Sequence, residues 1–352
     1  MYKIQSIIIF VLCFISFTAA NDSLIAKQTA DSTNSFFIEA DFLSYLNNLE
    51  YFNRHREGVL HVGAATRLYA RYVPLSSLEF SLGVYMRKAF GDKKFMSDIR
   101  PCFQGRFTKK IFTLIIGALE SENQHNMLDA IISEQYPYEQ GLEEGFQMLF
   151  ESPKFFADIW MVSYLLNTPK NREHLSFGLY LRQQFGPVYF IGMTYWDHYG
   201  GQLFAPEDDP VRDNVMGDAG LRFSKEYNKN FQGFGTEFFG LGSYTSPDRK
   251  DIPFKSGWGL LSRSWIAFHN FELSLLFFKG DDFTTWPGNK IYQTNKLYTH
   301  IQIKYLRSFA KHLWLDWGVR VDFIEIPIKD YFDHTEHQVW VRLNGDFSKG
   351  LF

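Results

Sequence analysis

The stretch His337 to Phe347 alternates with a period of two. Val339, Val341, Leu343, Gly345 and Phe347 fall on one face, and Trp340, Arg342, Asn344 and Asp346 on the other. One face suits hydrocarbon and the other suits water. Leu313, Leu315, Trp317, Val319, Val321 and Phe323 alternate in the same way with Asp316, Gly318, Arg320 and Asp322. A soluble sheet carries this pattern in one or two half-buried strands, whereas here it recurs from Phe36 onward. That recurrence predicts an all-β fold, a transmembrane antiparallel up-and-down β-barrel.

The N-terminus agrees with an exported chain. Lys3 precedes an apolar run from Ile7 through Phe17, and Thr18-Ala19-Ala20 leads into the polar Asn21-Asp22, which reads as a signal peptide over residues 1–20. Val11-Leu12 before Cys13 lacks the small residues that lipoprotein processing needs. Residues 21–34 read as a short periplasmic segment and 35–352 as the barrel. No later apolar run reaches the roughly 20 residues of a membrane helix, so an inner-membrane helical protein is excluded. The mean hydropathy of -0.21 fits apolar positions interleaved with polar ones. Of the 36 basic residues the signal peptide takes Lys3, leaving 35 against 39 acidic ones, a balance that argues against a nucleic-acid partner. The mature chain keeps only Cys102, so stability must come from the backbone ladder and not from a disulfide.

Alternation begins with Phe36, Ile38, Ala40 and Phe42 and continues through Leu78 to Met86, Phe112 to Ala118, Leu175 to Leu181, Phe271 to Phe277 and Leu297 to Tyr305. Pro101 removes a ladder donor and suggests a bulge. Val188 to Trp196 is apolar on both faces, and Phe231 to Phe268 is glycine-rich, so neither segment declares its register. Short connections fall near Val73, Thr108, Pro153, Gly186, Lys229, His269 and Ala310. Longer or more polar ones fall near Asn53, Asp92, Gln124, Pro169, Asp208, Pro247, Asp282 and Pro327. The count is about 16 strands with both termini on one side. With its signal peptide and an aromatic-ended last strand, the chain resembles outer-membrane β-barrel proteins of the general porin type over nearly all its mature length. The departure is at the end, where Ser348 to Phe352 extends past Phe347. The resemblance implies the bacterial outer membrane as location, with membrane lipid and the barrel-assembly machinery as partners, and a homo-oligomer is compatible with it.

A charge facing lipid costs roughly 2 to 4 kcal/mol at the midplane, so the charged faces must line the lumen. Arg67, Arg71, Arg87, Arg100 and Arg106 cluster on three early strands, and the Glu120 to Leu142 loop carries Glu120, Glu122, Asp129 and Glu134. If that loop folds inward, acids face an arginine wall as in a channel constriction, with Asp316, Arg320, Asp322 and Arg342 also lining the pore. The bland reading of the same residues is a salt-bridged interior that merely fills the barrel. The functional expectation is a porin-like passive channel for small hydrophilic solutes, without cofactor and not an enzyme. The alternatives are a plugged barrel serving as a surface adhesin or anchor, and an outer-membrane lipid-modifying enzyme. Against the enzyme, His174, His198, His300 and His337 lie on separate elements, and there is no G-x-S-x-G signature. Asp197 to Gln202, with Glu207, Asp208, Asp209 and Asp213, is the most chemical-looking stretch. It lacks the spacing of a calcium-binding EF-hand, so a hydrated loop is the simpler reading. Trp196, Tyr199 and Trp286 suit sugars or, more economically, a membrane interface.

Overall fold

In the computed structural model, described for residues 33–51, 58–201, 203, 210–226, 233–250, 252–293, 297–324 and 335–351, sixteen strands close into one barrel. The first eight are β1 (Ser35–Tyr51), β2 (Val59–Leu75), β3 (Leu78–Ala89), β4 (Asp98–Lys109), β5 (Phe112–Ala118), β6 (Glu144–Glu151), β7 (Phe155–Leu165) and β8 (Glu173–Phe185). The second eight are β9 (Val188–Gly200), β10 (Arg212–Glu226), β11 (Gly233–Ser246), β12 (Lys255–Phe268), β13 (Phe271–Asp281), β14 (Tyr298–Ala310), β15 (Leu313–Ile324) and β16 (Thr335–Gly350). Each pairs antiparallel with its neighbours in sequence, and β1 closes the ring on β16. Closure leaves no unpaired edge, which a chain surrounded by hydrocarbon requires. The expected signal peptide, nearly all of 21–34, and the connections near Asn53, Asp208, Lys229 and Pro327 lie outside the described residues.

The expected parity holds along the wall. Leu60, Leu82, Phe103, Leu221, Phe238, Leu273, Ile303 and Val341 are exposed on the outside, while Trp340, Asp316 and Arg320 are buried inside. Tight turns join strands at the end that carries the termini. Lys110, Gly186 and His269 take positive φ there, the conformation that two-residue hairpin turns demand. No bulge forms at Pro101, because its pairing with Val84 keeps register while the short β5 reaches β4 only up to Gln104.

The chain end differs from the expected overhang. β16 continues through Phe347 to Gly350, Gly350 pairs with Phe37, and the Ser348 Oγ donates to Glu39 at 2.7 Å. Phe347 itself faces outward, stacked on Phe42 with ring centroids 5.9 Å apart. Deleting Ser348 to Phe352 therefore strips ladder partners from the closing seam. The deletion should lower the fraction of heat-modifiable, folded barrel on unboiled gels more than Phe347→Ala does; the opposite ranking would make the aromatic ring, and not the ladder, the closing determinant.

Two loops at the opposite end fold into the barrel. The first, Leu119 to Glu143, contains a 3-10 turn at Glu122–Asn126 and a helical turn at Tyr136–Glu139. The second, Asp282 to Gln293, contains a 3-10 turn at Lys290–Gln293. They hold one another through Ser133 N–H to the Pro287 carbonyl at 2.9 Å and Asn289 N–H to the Asp129 carbonyl at 3.0 Å. Ile131, Ile132 and Tyr292 from these loops pack with Ile191, Met193 and Phe278 of the wall in one buried apolar cluster. That contact explains why Val188 to Trp196 is apolar on both faces: one meets lipid and the other meets the plug.

Candidate functional site

The plug accounts for most of the charged positions singled out in the sequence. Arg67 pairs with Asp41 at 2.5 Å, and Arg71 bridges Glu39 and Glu79 at 2.8 and 3.2 Å. Arg87 donates to the Tyr138 carbonyl, and Arg100 to the Leu142 and Gln140 carbonyls, both at 3.1 Å, so these two arginines dock the backbone of the inserted loop. Arg106 pairs with Glu120 at the loop's start. The side chain of Glu122 is outside the described ones. Glu134 crosses to the far wall, where it meets Arg320 at 3.0 Å and Gln338 at 2.6 Å, while Asp129 accepts from the Asn289 amide at 2.9 Å. Arg320 also pairs with Asp322 at 3.1 Å, and Asp316 accepts from the Trp340 indole at 3.0 Å with Arg342 at 3.8 Å.

The root of the inserted loop is a second polar anchor that the sequence did not suggest. His125, 1% exposed, holds Asp158 through Nδ1 at 2.8 Å and Glu143 through Nε2 at 3.1 Å. Its ring stacks on Trp160 at 3.9 Å. Burial alone would lower its pKa, but the hydrogen bonds to Asp158 and Glu143 outweigh burial and raise it to about 9. A histidine whose pKa is higher folded than unfolded contributes stability that is complete below about 6.5 and lost as pH rises through about 9. Hydrogen exchange in 119–143, corrected for its intrinsic rate, should therefore reveal loosening of the loop across that window by up to about 3 kcal/mol, and His125→Gln should flatten the dependence. A wild-type loop equally protected at both limits would refute this linkage.

Chemistry of another kind lies on the outer face. The stretch from Asp197, read as a loop, is instead the end of β9, and Asp213 lies at the start of β10. Pairing sets His198 opposite Asp213 and Asp213 opposite Ser246 of β11. Counting eight residues down each strand reaches Phe190, Leu221 and Phe238, all exposed to the lipid side, so the His198–Asp213–Ser246 row faces outward too. His198 Nδ1 lies 2.7 Å from Asp213 Oδ1, which also accepts from the Trp196 indole at 3.0 Å. Arg249, half-exposed in the following loop, grips Asp213 Oδ2 through Nε at 3.0 Å and Nη2 at 2.6 Å.

A carboxylate so engaged can only accept, so it fixes the proton on His198 Nδ1 and leaves Nε2 as the free basic nitrogen. Nε2 rests over Gly200, where a Cβ would lie 2.0 Å away, so any side chain at 200 would displace the ring. Beyond Asp213, Ser246 Oγ is fully buried and has no hydrogen-bond partner among the described residues. Trp196 and Tyr244 lie in the next outward row and Trp258 in the one after it, an aromatic girdle just below the His198 row. The arrangement is a base held by a carboxylate beside an anion-binding guanidinium, at the rim of the lipid-facing wall.

A second His–Asp pair stands on the inner side. His174 Nε2 is 2.6 Å from Asp197, and its ring stacks on Tyr199 at 3.9 Å. It lines a cavity of about 350 Å³ with Tyr164, Tyr195 and Trp286. This cavity is bounded by the plug and does not open to the lipid face. Among the described residues no group of three or more His, Cys, Asp or Glu converges in a way that would hold a metal ion.

Comparison with known structures places the fold. The chain is similar to the outer membrane protein OmpT of Vibrio cholerae, with TM-score 0.54 at 8% identity over 90% of this chain and 100% of that one. It is also similar to OccK11 of Pseudomonas aeruginosa, with TM-score 0.52 at 9% identity over 92% and 99%. OccAB1 of Acinetobacter baumannii matches at TM-score 0.51 and 9% identity over 92% and 100%. The protein thus has the closed β-barrel fold of these bacterial outer-membrane proteins, here with sixteen antiparallel strands. Residues 28–344 match the profile of the Lipid A 3'-O-deacylase-type family, and the chain belongs to that family. No curated protein sequence matches it.

Membership in an enzyme family overturns the expectation that the protein is not an enzyme. That expectation rested on histidines lying far apart in sequence and on the lack of a linear motif. Antiparallel pairing brings His198 and Asp213 together from two strands, so no contiguous signature need exist. Arg249 and Ser246 left no signal of their own. What the sequence offered was the polar stretch Asp197 to Gln202 with Asp213, which it read as a hydrated loop.

Proposed function

We propose that the protein is an outer-membrane hydrolase that releases an ester-linked acyl chain from lipid A in the outer leaflet. The observation that carries this reading is the His198–Asp213 pair, with Nε2 free, on the lipid-facing wall at the loop end of a barrel that belongs to a deacylase-type family. Lipid A presents its acyl esters at the boundary between headgroup and hydrocarbon, which is the level of this aromatic-girdled row.

In the proposed reaction His198 Nε2 takes a proton from a water molecule, and the resulting hydroxide adds to the ester carbonyl. Asp213 holds the ring and balances the imidazolium charge, as the carboxylate of a hydrolytic triad does. Collapse of the tetrahedral intermediate breaks the acyl C–O bond. The proton on Nε2 passes to the departing sugar alkoxide, and the acyl group leaves as a free fatty acid. Arg249, with one edge on Asp213, turns the rest of its guanidinium toward an anionic headgroup.

The test is to incubate refolded protein with lipopolysaccharide in mixed micelles and to follow lipid A by mass spectrometry. Loss of one acyl chain with equimolar fatty acid release is expected. Intact lipid A after prolonged incubation, in protein verified as folded by heat-modifiability, would overturn the reading.

A further inference from the structure

Below the His198–Asp213–Ser246 row the outer wall is hollow. Trp196, Val215 and Tyr244 form the next outward row across β9, β10 and β11. The two rows after it are Thr194–Gly217–Gly242 and Gly192–Ala219–Gly240, and the large side chains of Phe190, Leu221 and Phe238 then close the depression. A Cβ added at Gly240 or Gly242 would meet nothing within 4 Å. From Gly240 the hollow runs sideways into an apolar cavity of about 410 Å³ over Leu260, Ser262 and Phe277.

Glycine weakens a strand and marks places where another group approaches closely. Small residues in two successive rows on three adjacent strands, with open space where a Cβ would stand at Gly240 and Gly242, leave room against the wall. The His198–Asp213–Ser246 row stands at the head of this lane, with Ser246 buried at one end and His198 at the other. A methylene occupies about the volume of a water molecule in the liquid, about 30 Å³, so 410 Å³ corresponds to roughly a dozen methylenes.

We propose that this depression seats the acyl chain whose ester lies at His198 and sets the length of chain that is cleaved. The assignment rests on the deacylase reading and adds the feature that selects the substrate. The chain enters between Trp196 and Tyr244, descends over Gly242 and Gly240, and ends against Phe238 and Phe277. Bulk lipid occupies the hollow when no substrate is bound. The hollow then favours a substrate chain over bulk lipid only because that chain's ester is held in the row above.

The test uses p-nitrophenyl esters from butyrate to palmitate, with folded protein in micelles of a short-chain detergent. Wild type should show kcat/KM rising with chain length. Gly240→Phe fills open space and so should fold, and it should lower the palmitate-to-butyrate ratio of kcat/KM about tenfold, the equivalent of roughly two buried methylenes. Gly242→Leu should shift the ratio in the same direction. Hydrolysis that is abolished by His198→Gln but has an unchanged chain-length profile in both glycine variants would overturn the groove alone. Absence of ester hydrolysis in wild type would overturn the groove together with the deacylase reading.

Discussion

Replacing His198 by Gln should reduce acyl release by about 10²- to 10⁴-fold, the usual worth of a positioned general base. The amide introduced by this substitution can still donate to Asp213, so the carboxylate keeps its Trp196 and Arg249 partners and the rim of the barrel stays assembled. What disappears is the basic nitrogen over Gly200. Asp213→Asn should also reduce activity, because an amide opposite Nδ1 no longer fixes the tautomer. It should cost stability as well, since Arg249 loses its partner. The inner pair supplies the control: His174→Gln alters a cavity that the lipid face does not reach and should leave acyl release close to wild type. Loss of activity in the His174 variant with retention in the His198 variant would move the chemistry to the inner cavity and sink the outer-face assignment.

Much of the barrel is legible in the sequence because its physics is local. A period of two needs no partner to be recognised, and a charged residue has one tolerable side of a wall in lipid, so Arg320, Asp322 and Arg342 can be sent inward from sequence alone. Strand number follows from the spacing of turns. Register fails where that logic has two answers. Ile191, Met193 and Tyr195 face inward yet are apolar, because they meet Ile131, Ile132 and their neighbours from a loop some sixty residues earlier in the chain. The last strand reads as ending at Phe347 because Ser348 and Lys349 lack alternating hydrophobicity, and their role is ladder pairing with β1. The outer site is only half legible. Asp197, His198 and Asp213 stand out as a polar loop, but facing directions come from strand continuity to Gly200, which the glycines and acids around it disguise. Opposite parity then sends Asp197 inward to His174 and His198 outward to Asp213, so adjacent residues serve opposite sides of one wall.

The porin-like expectation meets its sharpest test at Arg320. This side chain is 2% exposed and joins Glu134 of the inserted loop to Asp322, which is fully buried and also accepts from the Tyr298 hydroxyl at 2.5 Å. Arg320→Met should leave two carboxylates close together without their cation, a loss of about 3–5 kcal/mol for breaking a buried pair. The wall strand has a full ladder on both sides, whereas this part of the loop has two backbone bonds to the second inserted loop besides its side-chain contacts, so the loop should give way first. Stepwise conductance in planar bilayers should then rise well above that of wild type, with faster hydrogen exchange in 127–139. Arg106→Ser, which removes a partly exposed pair at the loop's start, should change both little, because exposed pairs contribute about 0–1 kcal/mol. Adding Glu134→Gln to Arg320→Met removes one stranded charge and should restore part of the protection, since Gln338 can still hydrogen-bond the amide. Wild-type barrels that already conduct in steps as large as the Arg320 variant's would mean that solutes pass beside the docked loop, and the channel reading would regain the ground that the plug takes from it.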